Sequence, residues 1–349
     1  MIYLLRGAYA NEFELQNYAP LMGKMDIKVV TTPHPMTDIQ LEGIPLWSPT
    51  ELPQFAFRRQ ILNRLVGGEH WLSGLDKIIK KDDIVHTAET YYPYTHQAVE
   101  LRKQGKVAKL ICTCWETIPH ANEKLGQLRK WKQEAYKYVD LFHTPTERAK
   151  HALVSEGVDP RKILVIPYGV DLSRFIPAKH KVNERPLVLT VARLEKEKGM
   201  EDINMVAQML PQYDFLVIGK GSYRFTSKNV TTLSVPYAEI HELYQSADLF
   251  FLPSRTTKTW EEQYGMALVE AMACGLPIVT TRSGAIPEVV GNAAVLVPEK
   301  NVEKMAQTIQ TVLSNPDAKR KLTRLSLARA KSRYDAKKVA EKLAKLYEK

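Results

Sequence analysis

The chain has 349 residues, of which 44% are apolar and 25% are charged, a composition that predicts a globular protein with two domains. No apolar run reaches the length of a transmembrane helix, and Met1–Gly7 reads as a short strand rather than a signal peptide, so we expect a cytoplasmic protein. The three cysteines lack the CxxC spacing of a zinc site and are consistent with a reducing compartment.

The positive charge is concentrated near the C-terminus. Residues 319–349 contain twelve Lys or Arg and three Asp or Glu, which is +9 of the total charge of +10. We interpret this segment as the solvated face of surface helices, with a patch for anionic lipid headgroups or a phosphorylated acceptor as the alternative. Aromatic residues are not interleaved with the basic ones, so the pattern argues against a nucleic-acid-binding groove.

Short apolar runs bounded by turn residues alternate with helix-like segments along the chain. This rhythm predicts an α/β protein with two Rossmann-like, doubly wound domains, separated by a turn-rich linker at 169–185. A ligand would bind between the carboxyl ends of the two sheets. The predicted strands are Ile2–Leu5, Ile27–Thr31, Ile84–Thr87, Ala108–Cys112, Leu141–His143, Ile163–Ile166, Leu187–Val191, Phe215–Ile218, Val230–Leu233, Leu249–Leu252, Ile278–Thr280 and Ala294–Val297.

Before the last two predicted strands comes the segment that contains Glu262 and Glu270. It reads as one apolar helix that ends near Gly275, and on a continuous helix the two carboxylates would lie roughly 12 Å apart. That distance excludes a shared metal but suits opposite ends of an extended ligand. The N–H groups of Gly265 and Met266, at the helix start, would point at a diphosphate. Two solvated acids on an amphipathic helix are the alternative.

Two earlier segments carry residues suited to the same ligand. Arg193 and Lys198 follow a predicted strand, where two fixed positive charges can stabilise a diphosphate leaving group without a metal. Gly219 and Gly221 follow the next strand, in a turn that lets the backbone approach a base or ribose closely. Each segment alone is a weak signal, because Lys and Arg are usually solvated and the turn falls short of a GxGxxG fingerprint.

Taken in order, these segments resemble the C-terminal half of the retaining glycosyltransferases of family 4, which have the GT-B fold. The resemblance runs from about residue 163 to the C-terminus. It implies an N-terminal acceptor-binding domain at 1–168, a donor-binding domain at 186–333 and a helix at 334–349 that packs back on the first domain, with the two domains facing a central cleft. The matching residues are Ile166–Asp171, Phe175, Arg193, Lys198, Gly199, Gly219, Gly221, Ala247, Asp248, Pro253, Ser254, Glu262, Glu270, Gly275, Pro277, Gly284, Pro287 and Glu288.

The resemblance also implies a role for each site residue. Glu270 would bind the ribose of a GDP- or UDP-linked sugar, and Glu262 would hold hydroxyls of the transferred sugar. Arg193 and Lys198 would neutralise the departing β-phosphate, so neither a metal nor another cofactor is expected. Backbone contacts near Gly219 and Val235 would select the base. The full set of expected donor-binding residues is Glu270, Tyr264, Gly265, Met266, Gly219, Gly221, Val235 and Gly7.

The N-terminal half matches the family less well. Many relatives have a glycine pair in the first loop and a His after the strand that ends near Thr113, whereas this chain has only Gly7 there and Trp115 at the apparent His position. We expect His120 to act as the catalytic substitute, with Glu116 from the same loop, or a surface role for both, as the alternatives. Two further histidines are ranked lower, His86 and His96.

The sequence therefore predicts a retaining, metal-independent transferase that moves a hexose from a nucleotide sugar to a saccharide or lipid-linked acceptor. The alternatives are a non-catalytic nucleotide-sugar-binding subunit with a decayed acceptor site, and an epimerase that acts on the nucleotide sugar itself. We interpret the basic, amphipathic segment 55–66 as an ordinary docked helix, with a peripheral contact with the inner face of a membrane as the alternative.

Overall fold

The computed structural model describes residues 1–53, 55, 57–58, 61–62, 68–123, 125–178 and 183–348. The chain divides into two compact units. Met1–Pro167 and Val339–Lys349 form the first domain, and Tyr168–Lys338 forms the second. Each domain is built around its own parallel sheet.

The first domain contains a seven-stranded sheet in the order β3-β2-β1-β4-β5-β6-β7. Leu5 and Val85 on its central strands and Ala98 and Ala135 on two covering helices belong to one buried core. The strands are β1 Ile2–Gly7, β2 Ile27–Thr31, β3 Gly43–Pro45, β4 Ile84–Ala88, β5 Lys109–Thr113, β6 Leu141–Thr144 and β7 Ile163–Val165. The described helices are α1 Glu12–Leu15, α2 Leu75–Ile78, α3 Pro93–Lys103, α4 Gly126–Tyr138 and α5 Glu147–Ser155.

The second domain contains a six-stranded sheet in the order β10-β9-β8-β11-β12-β13. Val188, Phe251 and Val279 on the sheet and Ile203 and Ile309 on two helices belong to its core. The strands are β8 Leu187–Val191, β9 Asp214–Ile218, β10 Val230–Leu233, β11 Leu249–Leu252, β12 Ile278–Thr281 and β13 Ala294–Val297. The helices are α6 Met200–Met209, α7 Ile240–Ser246, α8 Met266–Ala273, α9 Ile286–Val290, α10 Val302–Ser314 and α11 Pro316–Arg333, and α12 Ala336–Glu348 runs from this domain into the first.

The predicted α/β class with two doubly wound sheets is confirmed, as are all twelve predicted strands to within about a residue or two at their ends. One described strand was missed. Gly43–Pro45 is only three residues long and contains a proline at the edge of the sheet. Such a segment has no apolar run from which a strand could be predicted.

In both sheets the strand order reverses once, and this places the loops that matter for function. The reversal lies between β1 and β4 in the first domain and between β8 and β11 in the second. The loops that leave the carboxyl ends of two such neighbours run in opposite directions and leave a crevice, which is where open α/β sheets bind their ligands. We refer to these two places as the first and the second switch point.

The structure bears on membrane contact in two ways. Within the described ranges, no helix combines the length and the apolar character that crossing a bilayer requires. Most of the basic side chains of α11 and α12 are exposed, in keeping with solvated helix faces. The predicted amphipathic segment 55–66 falls mostly on residues 56, 59–60 and 63–66, which lie outside the described residues.

Candidate nucleotide-sugar site

A buried ion pair, Lys198 with Glu262, lies at the second switch point. Lys198 follows β8 and Glu262 follows β11. The Nζ of Lys198 lies 2.7 Å from Oε2 and 3.0 Å from Oε1 of Glu262, and the two side chains are 14% and 7% exposed. Ser254 Oγ donates to Oε2 of the same carboxylate at 2.8 Å, and the ring of Trp260 lies 4.8 Å from the Lys198 ammonium. A lysine ammonium has three N–H donors, so one remains for a ligand after two are directed at Glu262.

Two glycines make this close pairing sterically possible. Gly199 has φ +73°, and a Cβ there would lie 2.1 Å from the carbonyl oxygen of Pro253. Gly284 has φ +51°, and its Cβ would lie 2.1 Å from the carbonyl oxygen of Glu262. The same carbonyl accepts the N–H of Ala285 at 2.8 Å. A side chain at Gly199 would displace the Lys198 loop from the backbone of Pro253, and a side chain at Gly284 would displace the loop after β12 from the backbone of Glu262.

Arg255 ties the loop after β11 to the helix after β8. Its Nε and Nη2 donate to the two carboxylate oxygens of Asp202 at 2.6 and 2.5 Å, and its Nη1 donates to Glu201 at 2.9 Å. Its backbone N–H donates to the carbonyl of Glu197 at 2.8 Å. The hydrogen bonds to Asp202 raise the pKa of the guanidinium above its ordinary value. Sequence reasoning missed this residue, because no local pattern links Arg255 to an acid on a distant helix.

Arg193 is placed differently from Lys198. Its side chain is 62% exposed, and its Nη2 lies 3.1 Å from Oε1 of Glu197. Gly219 and Gly221 support the loop that carries it, since a Cβ on them would lie 1.9 Å from the Ala192 carbonyl oxygen and 2.6 Å from that of Leu194. Both glycines therefore pack closely against the backbone of the Arg193 loop, and their expected contact with the donor stays a prediction.

Glu270 lies in α8 and is held by two tyrosines. The hydroxyl of Tyr237 donates to Oε1 at 2.8 Å, and that of Tyr244 donates to Oε2 at 2.6 Å. Burial raises the pKa of the Glu270 carboxyl above its ordinary value, while the two tyrosine hydrogen bonds act in the opposite direction. The two tyrosines were not predicted, because they lie far from Glu270 along the chain and carry no motif.

The predicted continuous helix from Glu262 to Glu270 is wrong at its start. Helix α8 begins at Met266, and Gly265, with φ +83°, is its N-cap. Glu262 lies in the preceding loop, so the separation expected on a continuous helix does not apply. Tyr264 is buried and its hydroxyl donates to the carbonyl of Tyr168, while Val235 is half-buried in the segment after β10.

The residues expected from the first domain lie at two places, the end of β1 and the loop after β5. Gly7 ends β1 with φ +53°. The side chain of His120 is 61% exposed, with its Nδ1 3.3 Å from Glu123. Glu116 accepts the N–H groups of Thr117 and Ile118, both at 3.0 Å, and so closes its own turn. Trp115 donates its backbone N–H to Glu89 Oε1 at 2.8 Å.

Glu89 is a feature of the first switch point that the sequence did not reveal. It follows β4, is buried, and has φ +54°, a backbone conformation that costs free energy for a residue with a side chain. Burial raises the pKa of its carboxyl from 4.5 to about 8. Strained backbone and a strongly shifted carboxyl at a strand end are together typical of functional sites.

His86, ranked low in the sequence analysis, is fully buried in the first domain. Its ring nitrogens lie 2.8 Å from the hydroxyl of Tyr347 and 2.7 Å from Oγ1 of Thr113, and burial holds its pKa well below the ordinary value. This histidine therefore joins α12 to the sheet of the first domain. His96 stacks on Trp131, with ring centroids 4.6 Å apart.

Two groups of described residues have the composition of a metal site, and both lie in the first domain. They are His96 with Glu100 and Glu134, and His120 with Glu123 and Glu156. In each group a lysine ammonium already pairs with the carboxylates. Lys103 lies 2.7 Å from Glu100 and 3.2 Å from Glu134, and Lys132 lies 3.1 Å from Glu123 and 2.8 Å from Glu156.

Two models of known protein families match the chain. The model "Glycosyltransferase Family 4" matches residues 70–174, and the model "Glycosyl transferases group 1" matches residues 173–326. Together they extend over both domains, and the second includes the loops of Lys198 and Glu262 and helix α8.

Individual relatives are similar to the chain at low identity. The putative colanic acid biosynthesis glycosyltransferase WcaL of Salmonella typhimurium is 30% identical over 60% of this chain and 56% of its own length. A GDP-mannose-dependent monoacylated α-(1-6)-phosphatidylinositol monomannoside mannosyltransferase of Corynebacterium glutamicum is 27% identical over 61% of this chain and 63% of its own length. The chain thus spans less than two thirds of the length of either relative.

A solved structure matches over nearly the whole chain. The structure of Anabaena HepE in complex with UDP and glucose has a TM-score of 0.76 at 17% identity and covers 99% of both chains. This likeness establishes the fold, and the two family models establish the relationship. The chain belongs to family 4 of the glycosyltransferases and has the GT-B fold.

Proposed function

We propose that the chain is a retaining, metal-independent hexosyltransferase that uses a nucleotide-diphosphate sugar as donor. The observation that carries the proposal is the arrangement at the second switch point. There the loops that follow β8 and β11 bring Lys198 and Glu262 together as a buried pair, and helix α8 begins shortly after Glu262. A cation and oriented backbone N–H groups are the elements that stabilise a departing diphosphate.

The reaction follows from these charges. The bond between the anomeric carbon and the β-phosphate oxygen breaks, and a new bond to the acceptor oxygen forms on the same face of the sugar. The proton of the acceptor hydroxyl passes to the departing phosphate oxygen. Lys198, with Arg193 from its exposed position on the same loop, neutralises the charge that develops on the phosphate. Glu262 accepts hydrogen bonds from the sugar hydroxyls and fixes the orientation of the ring.

Glu270 is suited to the ribose of the donor. A carboxylate that accepts two hydroxyl groups of a ribose needs a rigid position, and Tyr237 and Tyr244 supply it. The bound UDP of HepE and the GDP-mannose dependence of the corynebacterial relative support a UDP- or GDP-linked donor. The phosphatidylinositol mannoside named for that relative supports a saccharide or lipid-linked acceptor.

Nucleotide binding tests the donor assignment. A ligand at 100 times its dissociation constant stabilises a protein by about 2.7 kcal/mol, so we expect UDP or GDP, compared with ADP, to raise the melting temperature. Glu270→Ala and Lys198→Ala are expected to abolish the rise, while Glu262→Ala largely spares it and lowers turnover.

The controls separate binding from folding. Glu270→Gln keeps one acceptor oxygen for a tyrosine hydroxyl and places an NH2 donor against the other hydroxyl, which can accept it, and Glu303→Ala removes an exposed acid from α10. We expect the Glu270→Gln variant to lose the rise in melting temperature with nucleotide and the Glu303→Ala variant to keep it. An equal rise in wild type and both Glu270 variants would contradict the ribose assignment.

A non-catalytic nucleotide-sugar-binding subunit is the second candidate. It is favoured by one observation, the exposed position of His120 together with Trp115 at the position where many relatives have a His. Tight nucleotide binding with neither transfer nor hydrolysis across a panel of saccharide acceptors would support this candidate over the transferase.

We also propose that the chain contacts the inner face of a membrane peripherally. The exposed basic side chains of α11 and α12 supply the charge that attracts anionic headgroups. We expect co-sedimentation with vesicles that contain phosphatidylglycerol at low salt, and its loss at high salt because the attraction is screened. Recovery of all the protein in the supernatant at low salt would remove this part of the proposal.

A further inference from the structure

Trp260 lies in the loop between β11 and α8, two residues before Glu262. The centroid of its ring lies 4.8 Å from the Nζ of Lys198, which also contacts the carboxylate of Glu262. The side chain is half-buried, so part of the indole remains open to solvent at the second switch point. No sequence pattern marks this residue, because its proximity to Lys198 arises only when the loops after β8 and β11 meet.

The loop that presents Trp260 is held by hydrogen bonds along its length. The backbone N–H of Thr257 donates to the carbonyl of Trp260 at 2.7 Å. The N–H and the hydroxyl of Thr256 donate to the two carboxylate oxygens of Glu299 at 2.8 and 2.9 Å. The ion pairs of Arg255 fix the start of the loop. The ring is therefore in place before a ligand binds, which lowers the entropic cost of binding.

The groups around Lys198 have the combination that a sugar ring requires. A hexose carries hydroxyl groups at its rim and C–H groups on its faces. The carboxylate of Glu262 can accept from the hydroxyls, whereas the indole of Trp260 offers an apolar ring to a C–H face and one N–H donor to a further hydroxyl. The anomeric carbon of a sugar nucleotide is bonded directly to the β-phosphate group. A donor whose diphosphate meets Lys198 therefore carries its sugar within reach of Trp260.

Support of the Lys198 ammonium is the simpler role for the ring, since an aromatic face attracts a cation. The ammonium is already held without it, because its Nζ lies 2.7 and 3.0 Å from the two carboxylate oxygens of Glu262. The two roles differ in what they affect. A supporting ring would strengthen every ligand that carries a diphosphate, whereas a ring that contacts the sugar would strengthen only the sugar nucleotide.

We propose that Trp260 contacts the transferred sugar, so that the site favours the sugar nucleotide, its substrate, over the free nucleotide, its product. The position of the half-open ring beside Lys198 and Glu262, on a loop fixed by hydrogen bonds, carries this inference. It rests on the proposed function, because it takes the diphosphate to bind at Lys198.

Calorimetric titration of the full chain with UDP, GDP, UDP-glucose, UDP-N-acetylglucosamine and GDP-mannose tests the contact. For the sugar nucleotide that binds most tightly to wild type, we expect Trp260→Ala to raise the Kd about tenfold, the effect of one lost aromatic contact. The Kd of the corresponding free nucleotide should change by about twofold at most, because Glu262 still holds Lys198. Trp260→Phe keeps a smaller ring and should lose less affinity. Thr259→Ala changes an exposed neighbour in the same loop and should alter neither Kd.

A second measurement reports on the ring itself and needs no loss of the side chain. In wild type labelled with 5-fluorotryptophan, the ¹⁹F resonance that is missing from labelled Trp260→Phe belongs to Trp260. Trp260 is the only tryptophan of the second domain. We expect the sugar nucleotide to shift this resonance further than the free nucleotide does, because the sugar lies against the ring.

Two results would overturn the inference and leave the donor assignment standing. One is an equal loss of affinity for the sugar nucleotide and the free nucleotide in Trp260→Ala, or no loss for either. The other is a Trp260 resonance at the same position with both ligands. If neither UDP nor GDP nor any of the sugar nucleotides binds to wild type, the donor assignment fails and the inference fails with it.

Discussion

Lys198→Ala is expected to lower the rate of sugar transfer by about 10²–10³-fold, the usual effect of removing one group that stabilises charge in a transition state. The ammonium is held in place by Glu262 and Trp260, and in the proposed mechanism it stabilises the departing phosphate from this fixed position. The rate is measured as release of UDP or GDP from the sugar nucleotide that gives the larger thermal shift.

The control for this prediction lies in the same turn. Lys196→Ala removes an exposed lysine two residues away and should leave the rate unchanged. Because Lys198→Ala leaves Glu262 buried without its cation, the variant also loses stability, by about 3–5 kcal/mol for a buried pair. The double variant Lys198→Ala/Glu262→Gln removes that unpaired charge. Recovery of the transfer rate in the double variant would show that the ammonium has no catalytic role.

The second large effect is expected at Glu89. The pKa of its carboxyl is raised from 4.5 to about 8 in the folded chain, so between these values the unfolded chain releases a proton that the folded chain keeps. Stability contributed by this group therefore falls as the pH rises from about 4.5 to about 8 and is constant outside that window. The full difference corresponds to about 4–5 kcal/mol. Glu89→Gln, which still accepts the N–H of Trp115, should remove this loss.

Urea denaturation across that pH range measures the effect. Four of the five tryptophans lie in the first domain, so tryptophan emission follows the domain that contains Glu89. We expect wild type and Glu89→Gln to have similar free energies of unfolding at pH 4 and the variant to be more stable at pH 8. Glu134→Gln is the control for a less buried acid of the same domain. Parallel pH profiles for wild type and Glu89→Gln would show that Glu89 ionises normally.

The strands were predictable because parallel strands buried on both faces are continuous apolar runs, such as Leu249–Leu252. The strand Gly43–Pro45 could not be predicted, because it forms by pairing with β2 and its own sequence has no apolar pattern. The start of α8 was misplaced for a similar reason. Residues 262–265 read as helix, but the contact of Glu262 with Gly284, from a distant loop, holds them in an irregular conformation.

In the candidate site, too, residues in recognisable local segments could be predicted, whereas their partners from other segments could not. Lys198, Glu262 and Glu270 were found because their segments resemble a known family. Their partners Ser254, Tyr237, Tyr244 and Arg255 act through contacts between separate segments, and no spacing in the sequence encodes those contacts. Glu89 was missed because its burial exists only after the strands of the first domain have assembled.

A crystal structure of the chain with UDP or GDP would show whether the second switch point binds a nucleotide diphosphate. We expect the diphosphate within hydrogen-bond distance of Lys198 Nζ and the N–H of Met266, and the ribose on the carboxylate of Glu270. Nucleotide found instead in the cavity beside Arg185, Asp214 and Asn229, at the amino ends of β9 and β10, would contradict it.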